Sequence, residues 1–211
     1  EIRMPGEFVA GVGYSNSFAN FAHDMNGDGL QDAILIGFPG DPYHWYQNPG
    51  VGEETHWKEH VIWSSACNES PEFEDLNGDG IRELIIGSQP EAQMGFNVIP
   101  APAKSGETFA FHAVSPPGNP NENGTFKYYH GLGAGDMNGD GHRDVLIGHG
   151  WWQNPKDILN GKTWEFHPIR VRTPEGESPL PAVSNIYADD LDSDGDMDLF
   201  AASAHSFGVW W

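Results

Sequence analysis

Four copies of one nine-residue pattern constrain this chain more than any other feature. Asp24-Met25-Asn26-Gly27-Asp28-Gly29-Leu30-Gln31-Asp32 runs straight into the apolar stretch Ala33-Ile34-Leu35-Ile36. The pattern returns at residues 75–83, 136–144 and 190–198, followed by Leu84-Ile85-Ile86, Val145-Leu146-Ile147 and Leu199-Phe200-Ala201. Side-chain oxygens at positions 1, 3, 5 and 9, with the main-chain carbonyl of position 7, can converge on one point. Glycine at position 6 lets the backbone turn sharply beneath an ion.

Such a donor set suits calcium, a hard cation that takes six to eight oxygens in a flexible cage. Magnesium prefers few protein ligands and keeps its waters. Zinc wants His and Cys, and neither recurs in these loops. The EF-hand shares positions 1, 3, 5 and 6 but needs a bidentate Glu at position 12 and flanking helices. Position 12 here is Leu35, Ile86, Ile147 or Ala201, inside short apolar runs rich in β-branched residues. Asn-Gly and Asp-Gly also make plain hairpin turns. Turns do not require four spaced oxygens each time.

The 211-residue chain carries a formal charge of −21. That argues against nucleic acid and anionic membrane as partners, and no apolar stretch reaches membrane-spanning length. Clustered carboxylates repel one another without metal, so stability is expected to depend on calcium. Aromatics and glycine are abundant, lysine is scarce, and no heptad or long amphipathic helical pattern appears. That is all-β composition. Cys67 is the sole cysteine, so no internal disulfide forms. Bracing by calcium points to an extracellular or periplasmic location.

The loops start at Asp24, Asp75, Asp136 and Asp190, roughly 50–60 residues apart, the period of a β-propeller blade of several strands. A second set of markers keeps step. Trp45-Tyr46-Gln47-Asn48-Pro49 and Trp57-Lys58-Glu59-His60-Val61-Ile62 follow the first loop; Trp151-Trp152-Gln153-Asn154-Pro155 and Trp164-Glu165-Phe166-His167-Pro168-Ile169 follow the third. Each unit reads as four antiparallel strands. The first enters the loop, at residues 18–23, 70–74, 132–135 and 183–188. The second is the apolar run, the third is aromatic and ends in the Asn-Pro turn, and the fourth alternates. The recurring His60, His112 and His167 are expected to pack inside the units.

The expectation is an all-β, β-propeller fold of about four blades, with repeat units at about residues 14–67, 68–128, 129–182 and 183–211 of a single domain. The fourth unit stops at Trp210-Trp211, read as the place of Trp45-Tyr46. Either residues 4–10 supply its missing outer strand and close the ring, or the chain is part of a larger propeller. Residues 115–124 and 173–181 read as surface loops.

Loops of the form Asp-x-Asn-Gly-Asp-Gly-x-x-Asp backed by an apolar strand resemble the VCBS/FG-GAP repeats, a family that includes the calcium-bearing blades of integrin α-chain propellers. The Trp-aromatic-x-Asn-Pro turn and the Trp-x-x-His-x-Ile strand are similar to its bacterial, secreted branch. The resemblance covers nearly the whole chain. It implies about four structural calcium ions and no particular activity. Its ligands, carried over by position, are Asp24, Asn26, Asp28, Asp32 and the carbonyl of Leu30, then Asp75, Asn77, Asp79, Glu83 and the carbonyl of Ile81. The third set is Asp136, Asn138, Asp140, Asp144 and the carbonyl of His142; the fourth is Asp190, Asp192, Asp194, Asp198 and the carbonyl of Asp196. Two departures stand out: Glu83 replaces Asp, and the fourth loop has Asp192 for Asn and Ser193 for Gly.

All four loops join a first strand to a second, so they share one face, and a ligand belongs on the opposite one. That face is expected to hold Tyr14-Ser15-Asn16, Asn68-Glu69-Ser70, Tyr129-His130 and Ser184-Asn185, with His44, His149, Trp151 and His205 from the loops between second and third strands. As a non-catalytic module binding carbohydrate or protein, the chain would use Asn16, Glu69, His130, Trp151 and His205 for contacts. The alternative is a polysaccharide lyase, with His130 as base and Tyr129 or His149 beside it. Against the lyase, only ten Lys and Arg exist and none lies in these segments. No nucleophile elbow, phosphate loop or dinucleotide fingerprint is present.

Overall fold

A computed structural model describes residues 2–3, 16–53, 55–173, 176–180, 183–203, 205 and 208–211. Its regular structure is entirely β. The first sheet is β1 (Ala19–His23), β2 (Asp32–Ile36), β3 (Tyr43–Gln47) and β4 (Lys58–Trp63), in chain order and antiparallel throughout. The second repeats that order with β5 (Ala66–Glu74), β6 (Glu83–Ser88), β7 (Gln93–Asn97) and β8 (Phe111–Ala113). The third does so again with β9 (Gly133–Gly135), β10 (Asp144–Ile147), β11 (Gly150–Gln153) and β12 (Glu165–Pro168).

Two features depart from the sequence reading: a hairpin within an expected loop, and the register of the last strand. Part of the stretch expected as loop forms a hairpin of β13 (Val171–Thr173) and β14 (Gly176–Ser178). Thr173 pairs with Gly176 across two residues, the loop length that most favours hairpin closure. The last sheet has three strands, β15 (Val183–Asp189), β16 (Asp198–Ser203) and β17 (Val209–Trp210). There Trp210 faces Ala201, so Trp211 comes next to the Phe200 row. Ile34 faces Trp45 and Leu146 faces Trp151 at the same distance behind their loops. Trp210-Trp211 therefore takes the place of His44-Trp45, one residue earlier than Trp45-Tyr46. Residues 4–10, the Gly11-Val12-Gly13 stretch and Tyr14-Ser15 lie outside the described residues.

The second strands of the second and third units, β6 and β10, are apolar without alternation because they are buried on both faces. In β6, Leu84 and Ile86 enter a core shared with Ile34, Ile36 and Trp45 of the first sheet. Ile85 points the other way, into a core with Val145, Ile147 and Trp152 of the third. In β10, Leu146 in turn enters a third core with Val183, Ile186 and Ala201. The two-residue period of a strand thus divides the apolar runs of β6 and β10 between two neighbouring cores. Full burial of each such side chain stabilises by about 1.5–3 kcal/mol.

The first strands lie side by side, β1 against β5, β5 against β9, and β9 against β15. Each runs toward its acidic loop. The four loops therefore sit at one set of strand ends, and the segments leading into the first strands sit at the other.

The recurring histidines pack as expected. His60 faces Trp45, His112 faces Phe96 and His167 faces Trp151 across the third and fourth strands. The rings stack with centres 4.1, 5.3 and 4.3 Å apart. His60 and His167 also reach Gln47 and Gln153 through Nε2.

Candidate functional site: acidic loops and a histidine cluster

All four loops close on the same hydrogen bonds. The position-1 carboxylate gathers the amides beneath it: Gly29 N–H donates to Asp24 at 2.8 Å, Gly80 to Asp75 at 2.8 Å, Gly141 to Asp136 at 2.7 Å and Gly195 to Asp190 at 3.1 Å. Position 3 accepts from the amide of position 5, as in Asp28 N–H to Asn26 at 3.0 Å and Asp194 N–H to Asp192 at 3.1 Å. Position 5 accepts from position 7, as in Leu30 N–H to Asp28 and His142 N–H to Asp140. Position 6 has φ between 86° and 97° in all four loops, a conformation that only glycine adopts freely. Position 4 is likewise left-handed, and in the fourth loop Ser193 holds it at φ 62°.

Position 9 is the buried end of the arrangement. Asp32, Glu83 and Asp144 are almost fully buried, each accepting the amide of position 2 from Met25, Leu76 or Met137. Asp32 and Asp144 also accept from Asn48 and Asn154 of the Asn-Pro turns. Burial is the main influence on their acidity. It raises Asp32 and pushes Glu83 up to about 7 and Asp144 up to about 6; neighbouring loop carboxylates add to it, and the backbone amides partly offset it. In the fourth loop, donor oxygens of Asp190, Asp192 and Asp194 lie within 4.8 Å of one another. All-oxygen donors, clustered and partly desolvated, fit calcium.

At the opposite strand ends, three of the five candidate contact residues come together. His130 Nε2 lies 3.2 Å from Glu69 Oε2 and 3.0 Å from His205 Nε2. Beside them the Tyr129 hydroxyl lies 2.8 Å from His149 Nδ1. Burial drives the Tyr129 hydroxyl well above its usual range and lowers His149. The backbone holds the group in place: Glu69 N–H donates to the Tyr129 carbonyl at 2.8 Å, and Gly131 N–H to the Ser184 carbonyl at 2.9 Å. The Ser70 hydroxyl donates to the same Ser184 carbonyl at 3.1 Å. Sequence reasoning named these segments without foreseeing that Ser70 and Ser184 fasten them together.

The remaining candidates do other work. Asn16 turns its side-chain oxygen to the Phe38 N–H at 2.5 Å. Trp151 lies within β11, stacked on His167 and packed against the third core. His44 lies within β3, 3.9 Å from Glu59.

Residues 24–86 match the family model described as FG-GAP-like repeat. Among solved structures, the chain is similar to the crystal structure of the V. cholerae biofilm matrix protein Bap1, with 18% identity and a TM-score of 0.47. That likeness covers 92% of this chain and 30% of the other, so the chain spans less than a third of its length. No curated protein matches.

Proposed function

With residues 24–86 as an FG-GAP-like repeat, we propose that this chain is an extracellular, calcium-stabilised β-propeller module. It binds a carbohydrate, or failing that a protein, at the strand ends opposite its loops. The blades are the repeat units near residues 14–67, 68–128, 129–182 and 183–211, and each loop holds one structural calcium through positions 1, 3, 5 and 9 and the carbonyl of position 7. The observation that carries the calcium reading is the near-complete burial of Asp32, Glu83 and Asp144 among further loop carboxylates. A divalent cation supplies the charge that burial denies them. The same feature supports a location rich in calcium, outside the cytosol. Among the described residues no helix is long and apolar enough to cross a membrane.

The binding reading rests on Glu69, His130 and His205, whose polar atoms meet at the ends of three different sheets. Groups of this kind hydrogen-bond sugar hydroxyls. The lyase is the second reading, favoured by the Tyr129–His149 hydrogen bond beside His130. Against it, the charged partner of His130 is the carboxylate of Glu69, which repels a uronate. The deciding experiment passes neutral and uronate-containing polysaccharides over the calcium-loaded protein, following retention and product size. Retention without cleavage is expected. Shorter unsaturated products overturn the binding module in favour of the lyase, and neither result leaves the protein-partner reading.

A further inference from the structure

We propose that a cleft between the second and third sheets, walled by Phe166 and Trp152 and rimmed by Asn119 and Glu122, binds a neutral pyranose residue of a polysaccharide. The inference rests on the carbohydrate reading and adds to it a second point of contact and a sugar type.

The repeat itself exposes the cleft. Phe111 and Phe166 each stand one residue before a stacked histidine, His112 or His167. Trp63 and Ser115 each stand three residues after one, His60 or His112. Where the second sheet meets the first, the Phe111 ring stacks on Trp63, with centres 5.5 Å apart and planes 20° from parallel. Where the third sheet meets the second, Phe166 takes the place of Phe111, and Ser115 takes the place of the tryptophan. A hydroxymethyl group covers far less of a ring than an indole does. Phe166 is therefore 40% exposed, and it lines a cleft of about 250 Å³ together with Ser115.

The ring is fixed in a flat pose. A Cβ at Gly150 would come 2.5 Å from Phe166 Cζ, so the bare glycine lets the ring lie down on β11. It rests there against Trp152, with centres 5.0 Å apart and planes tilted by 53°. The Ser115 hydroxyl is already engaged, accepting the Met94 N–H at 2.9 Å and donating to the Pro116 carbonyl at 3.0 Å. This wall of the cleft thus offers a flat apolar face.

The polar rim comes from residues 115–124. Asn119 and Glu122 are exposed, and Asn119 Nδ2 donates to Glu122 Oε1 at 2.9 Å. The Glu122 N–H closes the turn beneath them on the Asn119 carbonyl at 2.9 Å. A primary amide has two N–H donors and a carboxylate two oxygens, so the pair keeps a donor and an acceptor for a ligand. A pyranose matches both surfaces: its C–H face packs on an aromatic ring, and its hydroxyls donate and accept at the edge. A carboxylate at the rim of a chain with formal charge −21 repels a uronate, which makes the sugar neutral.

The cleft opens on the side of the molecule already assigned to binding. β8 runs away from its acidic loop, so residues 115–124 begin at the strand ends where Glu69 and His130 lie. Burial and Arg170 lower His149, and the charge of Glu122 partly offsets them. His149 in turn meets the Tyr129 hydroxyl.

The test titrates cellohexaose, mannohexaose and a galactan hexasaccharide into calcium-loaded protein, with hexagalacturonate as the charged control, and follows binding by saturation-transfer NMR. At least one neutral hexasaccharide should bind, and hexagalacturonate more weakly. Phe166→Ala should weaken the binding by about tenfold. Asn119→Ala, an exposed change, should weaken it by about fivefold, and the calcium-loaded melt of each variant checks folding. Binding unchanged in both variants overturns the cleft. If His130→Ala then abolishes that binding, the sugar sits at the strand-end group alone and the carbohydrate reading stands. Hexagalacturonate bound as tightly as the neutral sugars overturns the sugar type. Binding of none of the four removes the carbohydrate reading and the cleft with it.

Discussion

Asn154 donates its side-chain amide to the Leu76 carbonyl at 2.7 Å, tying the turn after β11 to the acidic loop of the preceding sheet. The same amide donates to the Arg143 carbonyl at 2.8 Å, and the Asn154 backbone N–H donates to Asp144 Oδ1 at 2.8 Å. One buried side chain thus braces two loops at once. In the first sheet Asn48 makes the matching bonds to Gln31 and Asp32 of its own loop.

Asn154→Ala should therefore destabilise the protein by about 1–3 kcal/mol, since it removes the partner of the buried Leu76 carbonyl and of the part-buried Arg143 carbonyl. Because it releases both loops, it should weaken calcium binding at residues 75–83 as well as 136–144. Calcium-dependent melting of the variant checks this. An effect confined to the third loop would show that the sheets do not share their metal-binding energy.

The buried loop carboxylates set the pH dependence of the metal-free protein. Glu83 and Asp144 are raised by folding, so their contribution to stability is present below their unfolded values near 4 and is lost as pH rises through about 6 and 7. Each costs up to about 3 kcal/mol once ionised without a cation. In chelator the melting temperature should fall between pH 5 and pH 8, and saturating calcium should remove most of that fall. Asp144→Asn should melt higher than the parent in chelator at pH 8 and lower than the parent in calcium. A melt unaffected by chelator at pH 8 would sink the structural-calcium reading.

Ser193 is a local defect in an otherwise regular loop. It holds φ 62° where Gly27, Gly78 and Gly139 hold 74°, 76° and 71°, and a Cβ in this region costs about 1–2 kcal/mol. Ser193→Gly gives up some of that gain by loosening the unfolded chain. The net expectation is a stabilisation of about 0.5–1 kcal/mol, read from denaturant unfolding in calcium. Destabilisation would mean that the serine hydroxyl contributes to the loop.

Much of the protein is legible in short stretches. The acidic loops can be read because their donors are nearest neighbours in the chain, and their hydrogen bonds are as local as the pattern that announces them. The order of strands follows from the same economy, since consecutive antiparallel strands need only short connections. The packing of His60 and His167 was visible in the Trp-x-x-His-x-Ile recurrence, because a side chain repeated at one strand position meets the same neighbour each time.

The strand ends opposite the acidic loops were readable only as a set of segments. On a strand one residue of register turns a side chain to the other face, and Trp151 lies within β11 on the face that stacks on His167. Asn16 was consumed by the Phe38 amide, a contact 22 residues away in the chain. The sequence by itself determined the repeat, the acidic loops and which strand ends they occupy, because each depends on residues close together in the chain. Only the tertiary structure decided that Glu69 and His205 both lie against the His130 ring. Those residues come from three sheets, and how their ends meet depends on how the apolar runs of β6 and β10 divide their side chains between neighbouring cores.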